Sequence, residues 1–208
     1  MSRIFLVRHG EVEGNSGERR TFSGWNDVAL TTRGEQQAQA TAKRLEREKV
    51  RAVYSSDLQR AHSTAQTIAE SHALPVQTNA ALREVHYGAW AGLGEAELVA
   101  GWSDLWRQRL SDPVHTAAPE GESLADLWRR LQPAWNNIVE RHNASDEDAV
   151  LVAHNGTVRV LVCGVLGMPL ENYRRIHIGN CSLTCVQLNK GKPPLVEFVN
   201  ETCHLTDI

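Results

Sequence analysis

Short apolar, β-prone runs alternate along this chain with segments of helical periodicity. The clearest apolar runs cover residues 3–7, 50–54 and 149–153, and each is followed by a polar segment and then a helical pattern. A short continuous apolar run is typical of a strand buried on both faces of a sheet. Strands that alternate with helices predict an α/β fold with a largely parallel sheet.

Weaker patterns complete this order. Helices are predicted over residues 32–48, 56–72, 95–110, 123–143 and 156–166, and further strands over 75–77, 182–188 and 195–199. Thr32, with Glu35 three positions later, matches a capping box at the start of the first helix. Ser56 or Asp57 is expected to cap the second helix, and Ser123 the fourth. Residues 1–208 show no repeat and no linker, which favours a single domain.

Composition excludes several classes of protein. A chain of 208 residues with 41% hydrophobic residues can bury one sizeable core. Its formal net charge of -3 gives no general attraction to nucleic acid or to an anionic membrane. Apolar runs stay far below the roughly 20 residues of a membrane span, so no membrane partner is expected.

The cysteines and the N-terminus favour a cytoplasmic protein. The segment MSRIFLVRHGE lacks the small-residue cleavage site of a signal peptide. Four cysteines (Cys163, Cys181, Cys185 and Cys203) lie in apolar surroundings without Cys-x-x-Cys spacing. They are therefore predicted to be reduced core residues, and a zinc site is not expected.

Ionisable residues are concentrated where predicted strands end or where long loops run. The segments are Arg8-His9-Gly10, Asp57 to Arg60, Arg83-Glu84 and His154-Asn155-Gly156. In open α/β sheets, ligands bind outside the carboxyl ends of the strands. These side chains are therefore expected to meet at one rim, and the long loop over residues 8–29 is expected to be functional.

Each of these residues alone has an ordinary structural interpretation. A histidine after a strand is usually a hydrogen-bonded structural group, and an arginine at a helix start is often a solvated one. Together they suit phosphoryl transfer, which needs a nucleophile, cations for the phosphoryl oxygens and a proton donor for the leaving group. The helix that opens at Gly156 is expected to direct free N–H groups at the same anion.

The motifs also resemble those of the histidine phosphatase superfamily. The matching segments are Arg8-His9-Gly10-Glu11 with Asn15, Ser23-Gly24, Leu30-Thr31 and Gly34; Ser55 to Ala65; Leu82-Arg83-Glu84 with Tyr87-Gly88, Trp90 and Gly92; Gly121-Glu122-Ser123; and Ala153 to Gly156. They occur in order over residues 3 to about 190. The resemblance implies a three-layer α/β/α fold of the phosphoglycerate mutase type.

The resemblance also implies residue roles. His9 would accept the phosphoryl group, and Glu84 would protonate the leaving alkoxide and then deprotonate water. Arg8, Arg60 and His154 would hold the phosphoryl oxygens. The other substrate-binding positions that it implies are Asn15, Ser23, Gly24, Tyr87 and Asn155. The expected substrate is a small phosphomonoester, and neither a cofactor nor a metal ion is expected.

Two alternatives stay open. Phosphoglycerate mutases dependent on bisphosphoglycerate carry cations where this chain has Val85 and Glu95, which favours a phosphatase over a mutase. The segment Gly179 to Leu183 resembles the phosphatase branch, as in α-ribazole phosphatase-like enzymes. The second alternative is a non-catalytic module that binds phosphate. The alcohol half of the substrate and the oligomeric state, including a homodimer, are left undetermined by the sequence.

Overall fold

The strands form one six-stranded sheet. The computed structural model describes residues 1–15, 21–143, 145, 147–206 and 208. The strands are β1 (Ser2–Arg8), β2 (Val50–Ser55), β3 (Val76–Thr78), β4 (Asp148–Ala153), β5 (Leu183–Leu188) and β6 (Leu195–Glu201). Their order is β3-β2-β4-β1-β5-β6. Neighbours from β3 to β1 pair in parallel, whereas β5 pairs antiparallel with β1 and with β6.

Helices cover both faces of this sheet. They are α1 (Thr32–Leu45), α2 (Gln59–Ser71), α3 (Glu95–Ser111), α4 (Leu124–Asn143) and α5 (Asn155–Leu166). On one face Phe5 packs with residues of α1 and α2, and on the other Leu6 packs with residues of α4 and α5. Successive residues of a strand point to opposite faces, so β1 contributes to both cores. The predicted α/β fold with a mostly parallel sheet is confirmed.

The register between β1 and β4, at the centre of the sheet, sets the position of the site. Arg8 pairs with Ala153 at the carboxyl ends of β1 and β4. The next backbone N–H, that of His9, donates to the Ala153 carbonyl over 3.0 Å. The two chain segments therefore leave the sheet side by side, and His9 and His154 both follow directly.

The helix caps differ from the predicted ones. Thr31, one residue before the predicted cap, is the N-cap of α1, and its Oγ1 accepts the Gly34 N–H over 3.0 Å. Helix α1 also ends at Leu45 rather than at residue 48. The prediction of Thr32 was wrong because Thr31 keeps the extended backbone that a cap needs, with φ -76° and ψ 167°.

At α2 neither predicted residue acts as the cap. The N-cap position is Leu58, and its side chain makes no cap bond. Asp57 instead pairs with Arg83, and Asp27 accepts the Gln59 N–H over 2.7 Å. Ser123 does cap α4 as predicted, since its Oγ accepts the Asp126 N–H over 3.2 Å.

The cysteine prediction was correct for all but one residue. Cys163, Cys181 and Cys185 are buried, but Cys203 is exposed. It lies in a short C-terminal turn beyond β6 rather than under a layer of helices. No helix within the described residues is long and apolar enough to cross a membrane.

The cap assignment predicts a stability difference between two neighbouring threonines. Thr31→Ala should lower the free energy of unfolding by about 1 kcal/mol, because it removes the hydrogen bond to the Gly34 N–H. Thr32→Ala, at an exposed position in the first turn, is the matched control and should change stability by less than about 0.5 kcal/mol. Urea denaturation measures both values. Equal losses would contradict the assignment of Thr31 as the cap.

Candidate active site

A cavity of about 650 Å³ opens at the carboxyl ends of β1 and β4. The predicted site residues in its lining are Arg8, His9, Asn15, Ser23, Gly24, Arg60, Glu84, Tyr87 and Asn155. His154 is fully buried and contacts His9, with 5.1 Å between the ring centroids. The structure thus brings together the segments that the sequence singled out.

The ring of His9 is held in one tautomer. Its Nδ1 lies 2.7 Å from the carbonyl oxygen of Gly10, which can only accept a hydrogen bond, so Nδ1 carries the proton. Nε2 then carries the lone pair, and the Nε–H of Arg60 donates to it over 3.3 Å. The side-chain amide of Asn180 also donates to the His9 carbonyl over 3.0 Å. These bonds fix both the backbone and the ring of His9.

Both imidazoles of the site are neutral at pH 7. Burial lowers the pKa of His9 well below its usual value, and the charges of Arg60 and Arg8 lower it further. Burial likewise lowers the pKa of His154, with smaller contributions from Arg60 and His9. Neither ring nitrogen of His154 has a hydrogen-bond partner within the described residues. That ring can therefore donate to or accept from a ligand.

Two arginines hold fixed positive charge beside His9. The guanidinium of Arg60 donates to the carbonyls of Asn26 and Gly24, over 2.8 and 2.6 Å. Gly24 has a φ of +50°, a conformation that glycine adopts without strain. Arg8 donates to the carbonyl of Ile178 over 2.8 Å. Both guanidinium groups also line the cavity, where they place positive charge beside His9.

Glu84 is anchored by backbone N–H groups on both carboxylate oxygens. Oε1 accepts the Val85 N–H over 2.9 Å, and Oε2 accepts the Gly156 N–H over 3.0 Å. A Cβ atom at position 156 would lie only 2.5 Å from Glu84 Oε1, so this approach requires glycine. The free N–H groups at the start of this helix were expected to point at the substrate anion, but the Gly156 N–H binds Glu84.

The backbone that carries Glu84 is held by Arg130, which also forms an ion pair. Arg130 donates to the Glu84 carbonyl over 3.1 Å and forms an ion pair with Glu122 at 2.7 Å. Glu122 accepts the His86 N–H over 3.0 Å, and Trp25 Nε1 donates to the same Glu84 carbonyl over 2.7 Å. These bonds fix the backbone at Glu84, although this residue does not directly follow a strand.

The remaining predicted residues form the walls of the cavity. Asn15 closes a turn by accepting the Val12 N–H over 3.3 Å. Burial raises the pKa of the Tyr87 phenol, which keeps it neutral and able to donate a hydrogen bond. The Oδ1 of Asn155 is buried and has no hydrogen-bond partner within the described residues. Residues 16–20, part of the loop predicted to be functional, lie outside the described residues.

Residues 4–201 match the sequence profile of the histidine phosphatase superfamily, branch 1. The chain belongs to this superfamily. Phosphoserine phosphatase 1 of Hydrogenobacter thermophilus is 30% identical over 99% of this chain and 95% of its own length. A Proteus mirabilis protein named probable phosphoglycerate mutase is 34% identical over 100% of this chain and 97% of its own length.

Solved histidine phosphatase structures match over nearly the whole chain. A mycobacterial glucosyl-3-phosphoglycerate phosphatase complexed with VO3 has a TM-score of 0.84, with 30% identity, 96% of this chain covered and 99% of the other. The α-ribazole phosphatase of Shigella flexneri has a TM-score of 0.86, with 25% identity and 96% of each chain covered. The superfamily therefore includes proteins that carry phosphatase names and proteins that carry mutase names.

Several residues of this histidine phosphatase site were missed from sequence. Arg159 lines the cavity, and its spacing of four from Asn155 on one helix was the signal that could have identified it. Arg130 gave no comparable signal, because it lies in the middle of an ordinary amphipathic helix. Among the described residues, no group of three or more His, Cys, Asp or Glu side chains could hold a metal ion.

The lowered pKa values of the two buried histidines predict how stability depends on pH. Below about pH 6.5 the unfolded chain binds protons at these positions that the folded protein does not, so stability falls as pH falls. His9→Gln or His154→Gln should reduce the slope of the free energy of unfolding against pH between 7 and 5, by up to about 1.4 kcal/mol per pH unit each. Urea denaturation across this range measures the slope. A slope unchanged in both variants would contradict the prediction.

Proposed function

We propose that this protein is a phosphomonoesterase that hydrolyses a small phosphorylated metabolite through a phosphohistidine on His9. The observation that carries the proposal is the fixed tautomer of His9, because its Nε2 lone pair lies beside Arg60 in the cavity. A neutral imidazole is a competent nucleophile, and two arginines supply charge for the phosphoryl oxygens. The catalytic set is His9, Glu84, His154, Arg8 and Arg60.

In the first step the Nε–H of Arg60 turns from the Nε2 of His9 to a phosphoryl oxygen, and the lone pair of Nε2 that is freed attacks phosphorus. The N–P bond forms as the bond from phosphorus to the ester oxygen breaks, and Glu84 in its acid form gives its proton to that oxygen. Arg8, Arg60 and a ring nitrogen of His154 donate hydrogen bonds to the three remaining phosphoryl oxygens. The Nδ1–H of His9 stays bound to the Gly10 carbonyl, which spreads the charge that develops on the ring.

In the second step water takes the phosphoryl group. Glu84, now a carboxylate, accepts a proton from water while the oxygen attacks phosphorus and the N–P bond breaks. Inorganic phosphate leaves, and both His9 and Glu84 return to their starting protonation states. Each carboxylate oxygen of Glu84 accepts one N–H and keeps a second lone pair, which is the place for the transferred proton.

The runner-up function is a phosphoglycerate mutase. Relatives with this name support it, as does the shared phosphohistidine chemistry that the resemblance implies. Against it, Val85 is buried in the core and Glu95 presents a carboxylate to the cavity, so neither supplies a cation for a second phosphate. A purely phosphate-binding module ranks lower, because such a module needs neither Glu84 nor a nucleophile.

We further propose that the enzyme acts without a metal ion, in the cytoplasm, on free metabolites. The arginines of the cavity occupy the role that metal ions have in other phosphatases. No cofactor and no nucleic-acid partner form part of this proposal.

The nucleophile can be tested by trapping the phosphoenzyme. Wild type mixed with p-nitrophenyl phosphate should release p-nitrophenol in the presence and absence of EDTA, and quenching in base should leave acid-labile phosphate on His9. His9→Gln should lower kcat by at least about a thousandfold and yield no trapped phosphate. His115→Gln, at an exposed histidine outside the cavity lining, is the control for trapping on another imidazole. Label on His9→Gln, or loss of wild-type turnover with EDTA, would overturn the proposal.

The role of Glu84 predicts a dependence on the leaving group. Glu84→Gln keeps an oxygen to accept the Gly156 N–H but has no proton to give. The first step should therefore slow more for an alkyl phosphate, such as glycerol 3-phosphate, than for p-nitrophenyl phosphate, whose leaving group needs no protonation. Single-turnover rates of alcohol release with both substrates measure this ratio. Equal losses for the two substrates would show that Glu84 is not the acid.

A further inference from the structure

Arg159 is a cavity arginine that the phosphoryl chemistry does not use. It lies on α5, and its side chain lines the same cavity as His9 and Glu84. Its Nε is buried and has no hydrogen-bond partner within the described residues. A buried donor without a partner is costly, and because Arg159 lines the cavity a bound ligand can supply the missing acceptor.

The position of Arg159 along α5 places it beyond the reacting atoms. Helix α5 begins at Asn155, and the Gly156 N–H at this end binds the carboxylate of Glu84. Arg159 lies four residues after Asn155, about 6 Å along the helix axis and on the same face. Long side chains on helices point back toward the N-terminus, so the guanidinium extends toward Glu84. It therefore lies on the leaving-group side of the cavity.

The charge of Arg159 is not matched by an ion pair within the described residues, in contrast to the charges of Arg33 and Arg130. Arg33, which also lines the cavity, has Glu11 at 3.7 Å, and Arg130 has Glu122. No carboxylate within the described residues forms an ion pair with Arg159, and burial lowers the pKa of its guanidinium. The charge of Glu84 acts on Arg159, but this carboxylate is already held by two backbone N–H groups, so the guanidinium can still bind an anionic ligand.

We infer that Arg159 binds a carboxylate on the alcohol half of the substrate, so that the preferred substrates are phosphorylated hydroxy acids. This inference rests on the proposed function. The planar guanidinium matches a carboxylate with two parallel hydrogen bonds, and its single charge matches that of a carboxylate rather than a phosphate dianion. The neutral phenol of Tyr87 and the buried amide oxygen of Asn155, both in the cavity lining, supply neutral polar groups beside it.

Two pairs of substrates isolate the carboxylate. O-phosphoserine differs from O-phosphoethanolamine by one carboxylate, and 3-phosphoglycerate carries a carboxylate where glycerol 3-phosphate has a hydroxymethyl group. For wild type, kcat/KM should be higher for the acid in each pair by at least about tenfold. Arg159→Met should reduce this ratio to near one, and Arg159→Lys should retain part of it because a single charge remains. Arg175→Met, at an exposed position outside the cavity, removes the same charge and should keep the wild-type ratio.

The outcomes separate this inference from the proposed function. If wild type hydrolyses p-nitrophenyl phosphate through His9 but shows no preference for the acids, the inference fails and the phosphatase proposal stands. If Arg159→Met is folded by circular dichroism and keeps the wild-type ratio, the inference fails as well. An equal loss of the ratio in Arg175→Met would assign the effect to general charge and also overturn it. If wild type lacks turnover with every phosphomonoester, the proposed function itself fails.

Discussion

The parallel pairing of β1 with β4 is the constraint on which the rest of the site depends. Because Arg8 is in register with Ala153, the next residues of both segments, His9 and His154, come to lie in ring contact at the centre of the sheet. This position is covered by helices on both faces, so both rings are desolvated. Desolvation beside Arg8 and Arg60 keeps them unprotonated, which suits one ring to act as a nucleophile.

Glu84 reaches the same place by a different physical route. No strand ends at this residue, so its position comes from hydrogen bonds: two from backbone N–H groups to the carboxylate, and two from Arg130 and Trp25 to its carbonyl. The Gly156 contact ties the start of α5 to Glu84, the proposed proton carrier. A helix N-terminus favours a carboxylate, and here that carboxylate belongs to the protein itself. One helix end thereby orients Glu84 relative to His154.

The sequence predicted the strands and their ends well because a buried strand is a local signal. Residues 3–7 and 149–153 are apolar without interruption, and the ionisable residues after them mark the rim. What could not be predicted depends on contacts between distant positions. The bond between Glu84 and Gly156 joins residues 72 positions apart, and no local pattern encodes it. The predicted cap residue of α1 was wrong by one position. Both Thr31 and Thr32 have a side chain that can cap a helix, and only the backbone geometry shows that Thr31 is the N-cap.

The distribution of charge in the cavity bears on the fate of the phosphoryl group. A mutase must retain a second strong anion while the phosphohistidine exists, and it needs cations around the mouth of the cavity for this purpose. Here Glu95 and Glu11 line the cavity, and Arg33 is paired with Glu11. Arg159, which forms no ion pair within the described residues, is the cation that we assign to the leaving-group side. The single charge of Arg159 suits recognition of an alcohol that carries one carboxylate. This alcohol departs after the first step, and the space that it leaves can hold the attacking water.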